Sequence, residues 1–294
     1  MAKTILITGK NGYVGNRLND YLKAQGHVVD QINVRGNHWK ALDFSKYNVV
    51  IHLAAIVHNN NPNATMVDYM NVNYHLTKEL AEKAKTEGVN QFIFFSTMSV
   101  FGLDGEVGKE VIINNNTLTK PTTSYGISKL RAEEMLHEIQ SNAFKVAVLR
   151  PPMIYGESAP GNFSKLIKIS NILPLYPRID NQRSSIYIEN LEIYINELIE
   201  NEGSGILHPQ NNDYLNTNHA IFKMRELQNK KSMSIKLPNS LLKLFGKVSI
   251  FNKLYGNLIY SKDIDDFEYT ARFTNEIESY RKTINKQKDV IKEV

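Results

Sequence analysis

Tyr125 and Lys129 stand four residues apart in the run Ser124-Tyr125-Gly126-Ile127-Ser128-Lys129. On a helix that spacing puts both side chains on one face. A phenol with a free pKa of about 10 is a poor acid or base near neutrality, and an adjacent ammonium stabilises the phenolate. The pair is therefore a candidate proton-transfer device, with each unit of lowering equivalent to about 1.4 kcal/mol. A second chemical feature lies at the amino terminus. In Thr8-Gly9-Lys10-Asn11-Gly12-Tyr13-Val14-Gly15, three glycines recur every third residue behind the apolar run Ile5-Leu6-Ile7. Gly9 suits the tight turn off a strand, Gly12 the approach of backbone amides to a pyrophosphate, and Gly15 close packing of the following helix on the strand. The positive end of that helix faces the phosphates.

The elements that must carry these residues are legible as alternation. Apolar runs at Thr4 to Ile7, His27 to Val34, Val49 to Leu53, Gln91 to Phe95 and Lys145 to Leu149 are separated by amphipathic stretches. One such stretch carries Val14, Leu18, Tyr21 and Leu22 and ends near Gly26. Another carries Val72, Leu76, Leu80, Ala81 and Ala84 and stops at Gly88. Continuous apolar strands between helices predict an α/β chain of Rossmann type, a doubly wound parallel sheet covered on both faces. Residues 1–150 are assigned to this dinucleotide-binding domain. Beyond them, Pro151-Pro152, Pro160-Gly161, Pro174, Pro177 and Pro209 break the chain into short pieces, and residues 151–294 are read as mainly a smaller substrate-binding lobe with C-terminal helices. The clusters Asn59-Asn60-Asn61 and Asn114-Asn115-Asn116 read as surface loops.

The composition sets limits. The chain of 294 residues has no cysteine, which excludes disulfides, thiolate catalysis and cysteine-rich zinc sites, and no metal site is expected. A net charge of +5 without a basic stripe or a nucleic-acid motif gives no reason to expect a nucleic-acid partner. The amino terminus is already a strand and no apolar run is long enough to span a bilayer, so a soluble cytoplasmic protein is expected.

In combination these motifs resemble the extended branch of the short-chain dehydrogenase/reductase superfamily, the NAD-dependent epimerase/dehydratase family. The resemblance rests on Thr8 to Gly15, on His52-Leu53-Ala54-Ala55, on the Tyr125/Lys129 pair, on Leu149-Arg150-Pro151-Pro152-Met153-Ile154-Tyr155-Gly156, and on Arg183 to Leu191. It covers the chain to about residue 215. It implies that Gly9, Asn11, Gly12, Tyr13, Val14, Leu53, Ala54, Ala55 and Pro152 line the cofactor and that Lys129 also bonds the nicotinamide ribose. It places the substrate-orienting hydroxyl at Thr97, with Ser96 and Ser99 as close alternatives. Phe101 stands where the family commonly has tyrosine.

The resemblance also sets the expected cofactor and substrate. The ribose-binding acid of NAD enzymes falls at Asn33, with Arg35 close by, which favours NADPH over NADH; Asp30 as a ribose ligand is the competing assignment. Asp43 corresponds to an adenine contact, and Asn71, with Asn73 as neighbour, to a residue beside cofactor and substrate. Thr97, Ser99, Asn162 at the start of a helix, and Arg183 as diphosphate grip are the substrate residues implied. The activity expected is reduction of the C4 ketone of a UDP-4-keto-6-deoxy-N-acetylhexosamine for capsule or O-antigen precursors. An NAD-dependent UDP-hexose or UDP-N-acetylhexosamine 4-epimerase and a non-catalytic dinucleotide sensor are the alternatives. The partner expected is a UDP-linked deoxy-amino sugar. A homodimer, and contact of the lysine- and aromatic-rich stretch 237–260 with a membrane surface or a pathway enzyme, stay open.

Overall fold

A computed structural model describes residues 1–57, 63–172, 174–238, 249–265 and 272–292. The cluster Asn59-Asn60-Asn61 and residues 239–248 of the 237–260 stretch lie outside them, as does the side chain of Asn162. The elements follow in chain order: β1 (Thr4–Thr8), α1 (Tyr13–Ala24), β2 (Val28–Ile32), β3 (Val49–His52), α2 (Met66–Tyr69), a π-helical turn (Met70–His75), α3 (Leu76–Thr86), β4 (Gln91–Phe95), β5 (Ile112–Ile113) and α4 (Ser124–Ile139). After them come β6 (Lys145–Leu149), β7 (Met153–Tyr155), α5 (Asn162–Ile172), β8 (Leu175–Pro177), β9 (Ser185–Tyr187), α6 (Ile188–Glu200), β10 (Gly205–Leu207), α7 (Thr217–Glu226), β11 (Met233–Ile235), α8 (Ser249–Tyr255), β12 (Ile259–Tyr260) and α9 (Glu276–Lys292).

The main sheet has six parallel strands in the order β10-β6-β4-β3-β1-β2. From β1 the chain first goes outward to β2 and then crosses to β3 on the other side. The connection therefore reverses between β1 and β3, and the crevice at their carboxyl ends is where ligands of such sheets bind. Strand residues alternate between two cores. Ile5 and Ile7 face one cluster together with Leu18 and Leu22 of α1 and with Leu191, Ile195 and Leu198 of α6. Leu6 faces the other, with Leu80, Ala81 and Ala84 of α3 and Ala132 and Leu136 of α4. Burial on both faces explains why these strands read as unbroken apolar runs.

The structure departs from the sequence reading at three places. The second strand is shorter than His27 to Val34, because the His27 ring accepts from Lys3 N and the Asn33 carboxamide turns back onto Arg35 N. The helix before Gly88 contains the π-helical turn, which no apolar spacing announces. Residues beyond 150 return to the sheet, where β10 pairs with β6 and α6 covers it, so position 150 does not separate sheet from lobe along the chain. The lobe is built on two-stranded pairs, β7 with β9 and β8 with β11, while β12 pairs with β5 from the first half.

Candidate active site

The glycine turn closes the crevice at the end of β1. Gly9 has φ +96°, and the amides of Gly9 and Lys10 both donate to Ile32 O at 3.1 Å. Gly12 N donates to Gly9 O, and Asn11 between them takes φ 73°. A Cβ on Gly9 would lie 3.2 Å from Ala54 N, and one on Gly15 2.9 Å from Gln31 Nε2. The turn thus packs closely on Leu53 and Ala54, where a side chain on Gly9 would be crowded as well as strained by its positive φ. Asn16 N is bonded to Gly12 O, so the amides ahead of it open the first turn of α1 toward the crevice. This cradle of backbone amides at a helix N-terminus fits a pyrophosphate. Of the expected loop contacts, Tyr13 offers its backbone alone, since its phenol is buried against Gly156, 2.9 Å from where a Cβ there would stand.

Behind the turn, Thr8 Oγ1 accepts from Leu53 N and Ala54 N at 3.3 and 3.4 Å and bonds His52 Nδ1 at 2.7 Å. His52 Nε2 meets Thr77 Oγ1 at 2.9 Å. Burial, with Lys129 nearby, pushes His52 down to about 3, so the ring is a neutral spacer.

At the end of β2, Asn33 Oδ1 accepts from Arg35 N at 2.9 Å, and the exposed Arg35 guanidinium makes no ion pair among the described residues. Asp30, the competing ribose ligand, is engaged elsewhere: Tyr47 OH donates to it at 2.6 Å and Lys46 Nζ at 3.4 Å. The Tyr47 hydrogen bond, with Lys46, holds its carboxyl below the usual range. Asp43 folds onto its own turn, accepting from Ser45 N and Oγ at 2.9 and 2.7 Å.

The reacting hydroxyls sit at the carboxyl end of β4. Thr97 Oγ1 accepts from Ser99 N at 3.1 Å and donates to the exposed Ser99 Oγ at 3.2 Å, and the half-buried Tyr125 phenol lies beside it at the start of α4. Ser96 is not an equivalent candidate. It is 4% exposed and its hydroxyl donates to Glu133, beneath the strand end. Lys129 is buried, with Nζ donating to Phe95 O at 2.7 Å and standing 4.4 Å from the Phe94 ring centroid.

The expectation that Lys129 lowers the Tyr125 pKa needs correction. Burial pushes Tyr125 up to about 12, opposed by the Thr97 hydrogen bond. Burial likewise pushes Lys129 down to about 7, opposed by Glu133. Desolvation is the largest cause of both shifts, because each group loses water on burial.

Of two buried groups here, one was the second choice of the sequence reading and the other escaped it. Asn71 is exposed on the π-helical turn; Asn73 is the asparagine turned inward, accepting from Ile56 N at 2.9 Å and donating to Ile56 O and Ser128 Oγ at 3.0 Å. Arg150 and Glu133 form a buried pair, with Arg150 Nη2 at 2.6 Å from Glu133 Oε2. The Arg150 guanidinium stacks 5.0 Å from the Phe101 ring, so an aromatic packs there without a hydroxyl. The one signal for the pair was the i+4 step from Lys129 to Glu133 on α4.

Toward the lobe, Pro152 is buried just past β6, and Asn162 begins α5. The Arg183 backbone bridges Leu215 and Leu258, and its Nη1 donates to Gly256 O at 2.8 Å and Asn252 O at 3.3 Å. Burial lowers its pKa against the pull of Asp104. Gly105 leaves the space the guanidinium occupies, since a Cβ there would stand 2.8 Å from Nη1.

The crevice thus combines a glycine turn, a Thr97 hydroxyl beside the Tyr125 phenol and a buried lysine. The NAD dependent epimerase/dehydratase family model matches residues 5–189. The chain belongs to this family. A UDP-glucose 4-epimerase of Vibrio cholerae is 27% identical over 88% of this chain and 87% of its own. The N-acetyl-alpha-D-glucosaminyl-diphospho-ditrans,octacis-undecaprenol 4-epimerase of Escherichia coli O157:H7 is 28% identical over 93% and 88%. Among solved structures, the UDP-glucuronic acid 4-epimerase from Bacillus cereus in complex with NAD superposes with a TM-score of 0.72 at 20% identity, over 98% of both chains. As a member of the epimerase/dehydratase family, the chain is an enzyme acting on nucleotide sugars.

Proposed function

We propose that the protein is a UDP-sugar 4-epimerase that works with a retained NAD. The observation that carries this reading is that the turn bearing Thr97 packs on the start of α4, where a Cβ on Gly126 would stand 2.8 Å from Ser99 O, which brings Tyr125 beside Thr97 at the end of β4 near the glycine turn. Two relatives that align along most of the chain are named as 4-epimerases, which supports it further. The amides of Gly12 to Val14 would hold the pyrophosphate, and Lys129 the nicotinamide ribose. The cofactor, when bound, supplies a reversible hydride acceptor.

Tyr125 would act as the phenolate, its own proton having passed to solvent: it takes the proton of the C4 hydroxyl as the hydride leaves C4, and returns it to the C4 oxygen once the sugar has presented its other face and the hydride has come back. Thr97 holds that oxygen and shares the proton, keeping the phenol aligned. Arg183, held by the donation of its Nη1 to Gly256 O, would neutralise the diphosphate. Purified protein should convert UDP-glucose or UDP-N-acetylglucosamine to the C4 epimer with no cofactor added. No epimer from any UDP-hexose would overturn this.

A second reading is favoured by one observation. Asn33 and Arg35, which has no ion pair among the described residues, stand at the end of β2 without an acid at that place to repel a ribose phosphate, which suits NADPH and a reductase acting on a UDP-4-keto-6-deoxy-N-acetylhexosamine. Loss of NADPH absorbance with the 4-keto sugar, without epimer formation from UDP-hexoses, would select it.

A further inference from the structure

The lobe carries a surface that the reaction does not use. On the last turns of α5, Lys165, Lys168 and Ile172 follow at i, i+3 and i+7 and so form one stripe, with Ile172 75% exposed. Beside it, β11 pairs with β8 in the register Met233↔Leu175 and Ile235↔Pro177. Paired residues in this register project from the same face. Met233, Ile235 and Leu175 are all exposed on that face, while Tyr176, on the opposite one, is buried.

Lysines surround this aliphatic face. Lys230 and Lys231 precede β11, Lys236 follows it, and Arg178 follows β8; all are exposed, and none makes an ion pair among the described residues. The carboxylates near them in sequence are already engaged, Glu226 with Lys223 and Asp180 with Asn216. Exposed aliphatic side chains are poor company for the phosphates of a nucleic acid, and an acidic protein partner would not require three of them on one strand pair. The boundary of an anionic bilayer takes both, aliphatic groups among the acyl chains and lysines among the phosphates. No described helix is long and apolar enough to cross a membrane, so the contact is one of surface alone.

We propose that the face built by α5, β8 and β11 docks the protein on an anionic lipid bilayer. Co-sedimentation with vesicles of phosphatidylcholine and phosphatidylglycerol tests this, with pure phosphatidylcholine vesicles as the control. The protein should bind the mixed vesicles and not the neutral ones. The variant Lys230→Ala/Lys231→Ala/Lys236→Ala should bind about a hundredfold more weakly, since each lysine at an anionic surface contributes about 1 kcal/mol. Met233→Ser/Ile235→Ser should weaken binding at least fivefold while leaving thermal stability unchanged. Absence of binding to mixed vesicles, or equal binding by both variants, would overturn the proposal. So would a change of oligomeric state in Met233→Ser/Ile235→Ser, read by light scattering, because the face would then be a contact between protein copies.

Discussion

Replacing Glu133 with alanine would leave the Arg150 guanidinium, 7% exposed, without its carboxylate, and Ser96 Oγ without its acceptor. Breaking a buried ion pair from one side costs about 3–5 kcal/mol, most of it the desolvation of the charge left behind. An unpaired buried hydroxyl adds about 1–3 kcal/mol, partly within the same loss because both bonds end on one carboxylate. We expect Glu133→Ala to lose about 4 kcal/mol, and Tm to fall by about 10 °C on the scale of roughly 2–4 °C per kcal/mol for chains near this size. Glu133→Leu/Arg150→Met removes both charges and keeps volume, and should recover at least about 2 kcal/mol of that loss. The assay is urea unfolding at fixed pH, followed by fluorescence and circular dichroism to check that the two transitions coincide. A loss below about 1 kcal/mol for Glu133→Ala, or a double variant no more stable than the single, would refute the reasoning.

Tyr125→Phe should abolish turnover and leave dinucleotide affinity nearly unchanged, as read by steady-state kinetics and calorimetry, because only the transferable proton is deleted. The His52 ring titrates near 6.5 in the unfolded chain and near 3 in the fold, so the stability it contributes is present above pH 6.5 and is lost as pH falls toward 3. Urea unfolding across that window should show a shallower acid loss in His52→Gln than in the parent. Arg35→Ala should weaken NADPH binding by about 1.5–3 kcal/mol with NADH little changed if the guanidinium meets a ribose phosphate. Equal effects on the two cofactors in titration calorimetry would remove the case for NADPH.

The strands were legible because a parallel sheet buries both faces, so that Val49 to Ile51 and Phe92 to Phe95 are apolar without alternation. The glycine turn was legible because positive φ at Gly9 and the close approach to Ala54 leave few other residues usable. Tyr125 and Lys129 were visible as a helical pair, yet the direction of their pKa shifts was not, since burial is set by Tyr69, Phe94 and Phe95 from other elements. The choice of Asn73 over Asn71 depends on the rotation that a π-helical turn introduces, which shifts side chains relative to an α-helical count. Glu133 and Arg150 are 17 residues apart and meet only because β6 runs beside β4 over α4, a contact no local pattern encodes. The lobe's three-residue strands are too short for periodicity to mark them.

The central claim is that the C4 hydrogen of a UDP-sugar leaves and returns within the site while Tyr125 and Thr97 handle the hydroxyl proton. Incubation of the purified protein with UDP-glucose and UDP-N-acetylglucosamine in D2O, followed by proton NMR of the sugar, tests it directly. The account predicts that the C4 epimer appears with its C4 hydrogen retained and no deuterium on that carbon. Deuterium at C4 of the product, or no epimer from either sugar, would contradict it.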